Sequence, residues 1–261
     1  MKYGFIGCGN MGGAIARALC RKTTEIAVAD RSGKARDLAE ELGISYWDNA
    51  SIAANCDRIF LGVKPHMMGD VLAPLAPVLT ERKPLLITMA AGLEISRIEA
   101  WAGGDLPVIR IMPNTPTAIG KGVIQYCCNG LVTEQMLSGW LADMELCGLL
   151  DPLEEKLMDA ASALSGSGPA YVYMMLEAMA DGAVACGIPR AKAMDYAAMT
   201  LSGAAQMYLA TKTHPGALKD AVCSPGGSTI QGVKALEAKG FRGAVMDCVM
   251  ATYQRNKELG K

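Results

Sequence analysis

The sequence predicts an α/β protein, a doubly wound parallel sheet followed by an all-helical domain. Short apolar runs alternate with helical segments through the first half, the βαβ pattern of a parallel sheet covered on both faces. The run Gly7-Cys8-Gly9-Asn10-Met11-Gly12 stands between the first apolar run and a helix pattern, which makes the sheet Rossmann-like. After Asp151-Pro152 the β-branched runs disappear and Ala, Met and Leu dominate segments punctuated by Gly and Pro. With 261 residues the chain accommodates two domains, 1–152 and 153–261.

In chain order, strands are expected over 3–6, 26–29, 58–62, 85–88 and 108–111. Between them 11–21, 35–42, 67–79 and 95–102 carry apolar residues spaced for one helix face. Asp151 can cap a helix whose first position is Pro152. Further helices are expected over 153–164, 170–187, 190–210, 228–239 and 241–259. The stretch 170–188 is apolar nearly all round, but Glu177 and Asp181 in its middle argue against a bilayer span. A helix of that kind must bury every face.

Half of the residues are hydrophobic and 20% are charged, enough apolar surface for a core and no case for disorder. The net charge of −1, with Lys and Arg scattered, leaves no footprint for nucleic acid or an anionic membrane. The nine cysteines form no Cys-x-x-Cys pair and only two histidines accompany them, so neither a zinc site nor a disulfide framework is expected. The odd count and the lack of a secretory leader pattern predict free thiols in a reducing, cytoplasmic compartment.

The glycine run has the context that dinucleotide binding requires. Gly7 permits the tight turn, Gly9 lets a pyrophosphate approach backbone, and Gly12 allows close helix packing. The helix that Asn10 and Met11 open supplies N–H donors and positive potential. At the end of the second strand Asp30 suits the ribose 2′-hydroxyl of NADH, whereas Arg31, Ser32 and Lys34 could hold the 2′-phosphate of NADPH or form a solvated turn. The balance leans to NADPH. Lys64 and Pro65 fall at the carboxyl edge of the sheet, where ligands bind in open α/β folds.

In the helical half, 164–171 (Leu-Ser-Gly-Ser-Gly-Pro-Ala-Tyr) and 224–230 (Ser-Pro-Gly-Gly-Ser-Thr-Ile) place glycine-rich backbone just before a helix. Neither ends like a Walker phosphate loop. Free N–H groups at Ser228 and Thr229 would make an anion site suited to a carboxylate.

The glycine loop, Val63-Lys64-Pro65, Ala90-Ala91-Gly92, Met112-Pro113-Asn114-Thr115-Pro116 and these two runs together resemble pyrroline-5-carboxylate reductase in order and spacing, over essentially the whole chain. The last run departs from that family's more frequent Ser-Pro-Gly-Gly-Thr-Thr in having Ser228. The resemblance implies a helical domain that interlocks with a second subunit as a homodimer, with larger assemblies of dimers in the family. It also implies NAD(P)H-dependent reduction of a cyclic imine to proline. Carried over on that basis, Thr229 hydrogen-bonds the ring nitrogen, and Ser224, Gly226, Gly227 and Ser228 hold the substrate. The backbone of Val63, Lys64 and Pro65 lines the nicotinamide ribose, Ala91, Gly92 and Asn114 lie near the nicotinamide, and Asn49 lies near the adenosine. Bland alternatives stand beside these: a helix cap for Asn49 and Thr229, a turn for Ser224, and packing for Ala91, Gly92, Asn114 and its neighbour Thr115. His66 and His214 are read as structural, and the 17 methionines as core.

A β-hydroxyacid or 6-phosphogluconate-type dehydrogenase would share the architecture but needs a Lys general base, which 165–171 lacks. A non-catalytic dinucleotide sensor would bind cofactor without turnover.

Overall fold

The structure, a computed structural model, describes residues 2–259. Its strands are β1 (Tyr3–Ile6), β2 (Ile26–Ala29), β3 (Ser45–Tyr46), β4 (Arg58–Leu61), β5 (Leu85–Thr88), β6 (Val108–Met112), β7 (Gly122–Cys128) and β8 (Gly148–Pro152). They form one sheet in the order β3-β2-β1-β4-β5-β6-β7-β8, parallel throughout except between β6 and β7. The helices of the first half are α1 (Asn10–Cys20), α2 (Lys34–Leu42), α3 (Asn49–Asn55), α4 (Met68–Leu72), α5 (Ala76–Arg82), α6 (Ile95–Ala102) and α7 (Glu134–Met144). After β8 come α8 (Met158–Ala161), α9 (Gly168–Ala185), α10 (Arg190–Thr211), α11 (Pro215–Val222), α12 (Ser228–Ala238) and α13 (Phe241–Leu259).

The sheet is buried on both faces because its central strands alternate apolar residues between two cores. Phe5, Val28, Phe60 and Ile87 meet Ile15, Leu19, Trp140 and Met144 on one side. Ile6, Ile59, Leu61 and Leu86 meet Ile52, Leu72 and Ile98 on the other. Stacking of Phe5 on Phe60, 4.6 Å between ring centres, locks β1 to β4.

All five expected strands form, to within a residue. Three strands, β3, β7 and β8, form beyond the five expected, as does α7, while α3 begins at Asn49, where a helix cap is weighed from the sequence. Asp151 and Pro152, read as a helix start, instead finish β8, an edge strand that does not need the missing proline N–H. The single helix expected over 67–79 is broken into α4, a 3₁₀ turn Ala73–Leu75 and α5. Pro74 and Pro77 open the last two of these segments, since proline cannot continue a helix interior but fits its first turn. The helix expected over 153–164 becomes a 3₁₀ turn Glu155–Leu157, α8 and a π-helical turn Ser162–Gly166.

The chain forms two compact units. One runs to Ser167 and takes back the chain from Thr252; the other is Gly168–Ala251. All strands end by Pro152, yet 155–167 stays with the sheet because its polar groups are tied there. Arg110 on β6, with 2% of its side chain exposed, pairs with Glu155 at 3.2 Å and Asp159 at 3.0 Å. Asn256 on α13 donates to the Asp159 carbonyl at 3.1 Å. In the second unit α9 and α10 pack through Ala180, Ala193 and Ala197, with Leu176, Val184 and Ile188 around them. Among the described residues no helix is long and apolar enough to cross a membrane.

Candidate dinucleotide and substrate sites

The register of the sheet brings Ile6, Ala29 and Leu61 level, so the loops that leave β1, β2 and β4 start side by side. They wall a cleft of about 770 Å³ at the carboxyl edge of the sheet, within the size range of cofactor sites. Gly7, at φ +95°, closes the first turn. A Cβ there would stand 2.7 Å from the Gly62 and Val63 backbone. A Cβ on Gly12 or Gly62 would fall 2.5 or 2.3 Å from the Gly7 carbonyl oxygen, so these three glycines interlock. Gly9 differs. Its φ of −67° suits any residue, and a Cβ there would meet no atom within 4 Å.

Gly9 is also the N-cap of α1 and makes no side-chain cap bond. The opening N–H groups of α1 thus lack a side-chain cap and carry the positive end of the helix dipole, although Asn10, Met11 and Gly12 themselves lie outside the cleft lining. No contact within the chain demands glycine at Gly9. Cys8 lines the same wall, and burial together with the charge of Asp30 pushes its thiol up to about 12.

Arg31, Ser32, Asn49, Val63 and Lys64 all line the cleft, whereas Lys34, Pro65, Ala91, Gly92 and Asn114 lie outside its lining. Asn49 is not the cap of α3. That role belongs to Asp48, whose carboxylate accepts from the Ser51 N–H at 2.7 Å and is held below its ordinary range by that bond. Sequence reading passed over Trp47, Val71, Pro74 and Leu75, which give the cleft an apolar wall fit for an adenine ring. A lone Trp after a two-residue strand carries no local signal of that use.

Asn114, 7% exposed, is engaged within the protein: its amide donates to the Ser165 carbonyl at 2.9 Å and accepts from the Val123 N–H at 2.9 Å. Gln125 on β7 donates to the Ser165 hydroxyl at 3.0 Å. These two buried amides hold the π-helical turn at the head of the Ser-Gly-Ser-Gly-Pro run. Their bonds span 51 and 40 residues, so no local pattern could disclose them.

In the second unit Ser224, Pro225, Gly226 and Gly227 make a tight turn. The Gly227 N–H donates to the Ser224 carbonyl at 3.0 Å, and Gly226 takes φ +71°. A Cβ on Gly227 would lie 2.4 Å from the Ser224 hydroxyl oxygen and 3.1 Å from its carbonyl oxygen, so a side chain there would have to displace the Ser224 hydroxyl. Gly227 caps α12 without a side-chain bond, leaving the Ser228 and Thr229 N–H groups at a helix start. Both side chains are exposed, and Thr229 supplies no cap. His214 does cap α11, accepting from the Gly216 N–H at 3.1 Å, a structural role as expected.

Residues 155–259 match the family model for pyrroline-5-carboxylate reductase dimerisation, and residues 2–92 match that for coenzyme F420-dependent NADP oxidoreductases. A pyrroline-5-carboxylate reductase of Glycine max is 42% identical over 98% of this chain and 95% of its own. One from Escherichia coli is 39% identical over 100% of this chain and 98% of its own. Among solved structures, a Plasmodium falciparum pyrroline carboxylate reductase with NADP bound superposes with a TM-score of 0.89 at 32% identity, covering 100% of this chain and 98% of that one. The Streptococcus pyogenes 1-pyrroline-5-carboxylate reductase does so with a TM-score of 0.90 at 33% identity, covering 99% and 98%. With full-length identity at this level, a matching fold and both glycine-rich sites in place, the chain belongs to the pyrroline-5-carboxylate reductase family.

Proposed function

We infer that the chain is an NAD(P)H-dependent oxidoreductase acting on a C=N bond, which reduces 1-pyrroline-5-carboxylate to L-proline, the last step of proline biosynthesis. The observation that carries this reading is about 40% identity to such reductases along the whole chain, cofactor cleft and Ser-Pro-Gly-Gly-Ser-Thr turn included. When bound, the reduced dinucleotide supplies the hydride. The chain's own part is position and electrostatics. Gly7, Gly9 and the start of α1 seat the pyrophosphate, Val63 and Lys64 flank the ribose, and the apolar wall with Trp47 takes the adenine.

On the substrate side, the Ser228 and Thr229 N–H groups bind the carboxylate, with the turn of Ser224, Gly226 and Gly227 shaping the approach. The Thr229 hydroxyl, free of any cap bond, serves the ring nitrogen, whose hydrogen bond strengthens as the amine develops. No histidine is required, since a cyclic imine is basic enough to arrive protonated. NADPH is the favoured cofactor and NADH the alternative. The working form is a cytoplasmic homodimer, in keeping with nine free thiols and the exposed apolar helices of the second unit.

Steady-state oxidation of NADPH and of NADH in the presence of pyrroline-5-carboxylate tests the reading. Cofactor binding with no imine-dependent turnover would make the chain a sensor instead.

A further inference from the structure

Asp30 follows β2 at the rim of the cleft, the place from which an acid reads a ribose 2′-hydroxyl. Here its carboxylate is turned on its own loop. Oδ1 accepts from the Ser32 N–H at 3.1 Å, and Oδ2 accepts from the Ser32 hydroxyl at 3.0 Å and from the Ala35 N–H at 3.1 Å. Ala35 lies in the first turn of α2, whose N-cap Gly33 has no side chain to offer, so Asp30 caps that helix from upstream. Three donors and the positive end of α2 offset the negative charge.

The loop drawn in this way turns through Gly33 at φ +80° and keeps Arg31 and Ser32 on the cleft wall. Arg31 is exposed, and among the described residues no carboxylate pairs with it. The Ser32 hydroxyl and N–H are both spent on Asp30, which leaves the Arg31 guanidinium to meet an anion.

We propose that Asp30 is a positioning residue for NADPH: it builds the Arg31–Ser32 turn that receives the 2′-phosphate and does not read the ribose hydroxyl of NADH. An acid at the end of the second strand, ordinarily the mark of an NAD site, is here a structural part of an NADP site. The proposal rests on the dinucleotide reading of the cleft and is independent of which imine is reduced.

The test is a set of equilibrium dissociation constants for NADPH and NADH without imine, read from quenching of tryptophan fluorescence, to which Trp47 in the cleft contributes. The wild-type chain should bind NADPH more tightly. Asp30→Ala should raise the NADPH constant about tenfold, as expected for lost support to one charge-assisted contact, and the NADH constant by less than about twofold. Arg31→Ala should produce the same selective loss with the loop intact. Asp30→Asn, which keeps one acceptor oxygen, should fall between wild type and Asp30→Ala and serves if the alanine variant does not fold. A larger loss for NADH would make Asp30 the ribose reader and overturn the proposal. Equal losses for both cofactors, no loss, or a wild-type chain that does not discriminate would overturn it as well. If the constants behave as stated but pyrroline-5-carboxylate is not reduced, the proposed reaction fails and the cofactor assignment stands.

Discussion

At Gly9 the backbone is ordinary and the space beside it is open, so valine can be housed there without strain. Gly9→Val should therefore leave the thermal midpoint nearly unchanged, within about 0.5 kcal/mol of stability, while raising the cofactor dissociation constant by an order of magnitude or more. A folded Gly9→Val variant with normal cofactor affinity would refute the pyrophosphate seat. Gly7→Ala should behave in the opposite way, destabilising the fold itself, because φ +95° and the Gly62 backbone both oppose a side chain. The substrate turn separates in the same manner. Thr229→Ala should lower turnover by about 1.5 to 3 kcal/mol of transition-state stabilisation, with cofactor affinity unchanged, since it removes one hydrogen bond to a charged group. Ser228→Ala should be nearly silent, its part being main-chain. If kinetics returned the reverse pattern, the roles assigned within 224–229 would be wrong.

Elements were legible where one stretch of sequence carried both its pattern and its punctuation. Tyr3–Ile6 and the glycine loop that follows announce strand, turn and helix together, and α6 was readable to the residue. β7 and β8 carry no such mark. β7 reaches its neighbour through the 3₁₀ turn Thr115–Ile119 and not a helical crossover, and the Asp-Pro of β8 imitates a helix start. Half of the cleft lining proposed to hold the cofactor, the glycine loop and the Arg31 turn, is local in sequence and therefore readable. The Trp47 wall and the Asn114 clamp arise only from long-range packing. One such long-range tie has a measurable pH signature. Burial raises the Asp143 carboxyl, but hydrogen bonds from Tyr3 and Lys2 and the charges of Lys2 and Arg58 outweigh it, so the group sits below its ordinary range. A depressed folded pKa contributes stability that is present above the unfolded carboxylate value and is lost as pH falls through the folded one. Asp143→Asn should cost about 1 to 3 kcal/mol at neutral pH and flatten the fall in stability below about pH 4, as followed by denaturant melts across pH. An acid limb identical to wild type would show that the Tyr3–Arg58–Asp143 cluster is not coupled to folding.

Taken as a single chain, the molecule has a sheet unit that buries its apolar residues and a helical unit that does not. On α9 Val172, Tyr173 and Met174 are 48%, 61% and 72% exposed, and Met199 on α10 and Met250 on α13 remain 72% and 62% exposed. So many large apolar side chains left exposed on the helices of one unit point to an interface, and each such side chain taken fully out of water contributes about 1.5 to 3 kcal/mol. The match of 155–259 to a dimerisation model points to a second copy of the chain as the occupant. A helix apolar on all sides, which α9 nearly is, has no stable exposed state, so dimerisation and folding of this unit should be one event. The wild-type chain should therefore sediment as a dimer or a multiple of it at micromolar concentration, with a melting temperature that rises with protein concentration. Met174→Glu places a charge where an apolar contact is expected. It should shift the species toward monomer and lower the melting temperature, while NADPH titration of the Rossmann-like unit still detects binding. A wild-type chain that is monomeric and melts independently of concentration would show that these side chains are covered by something other than a second copy.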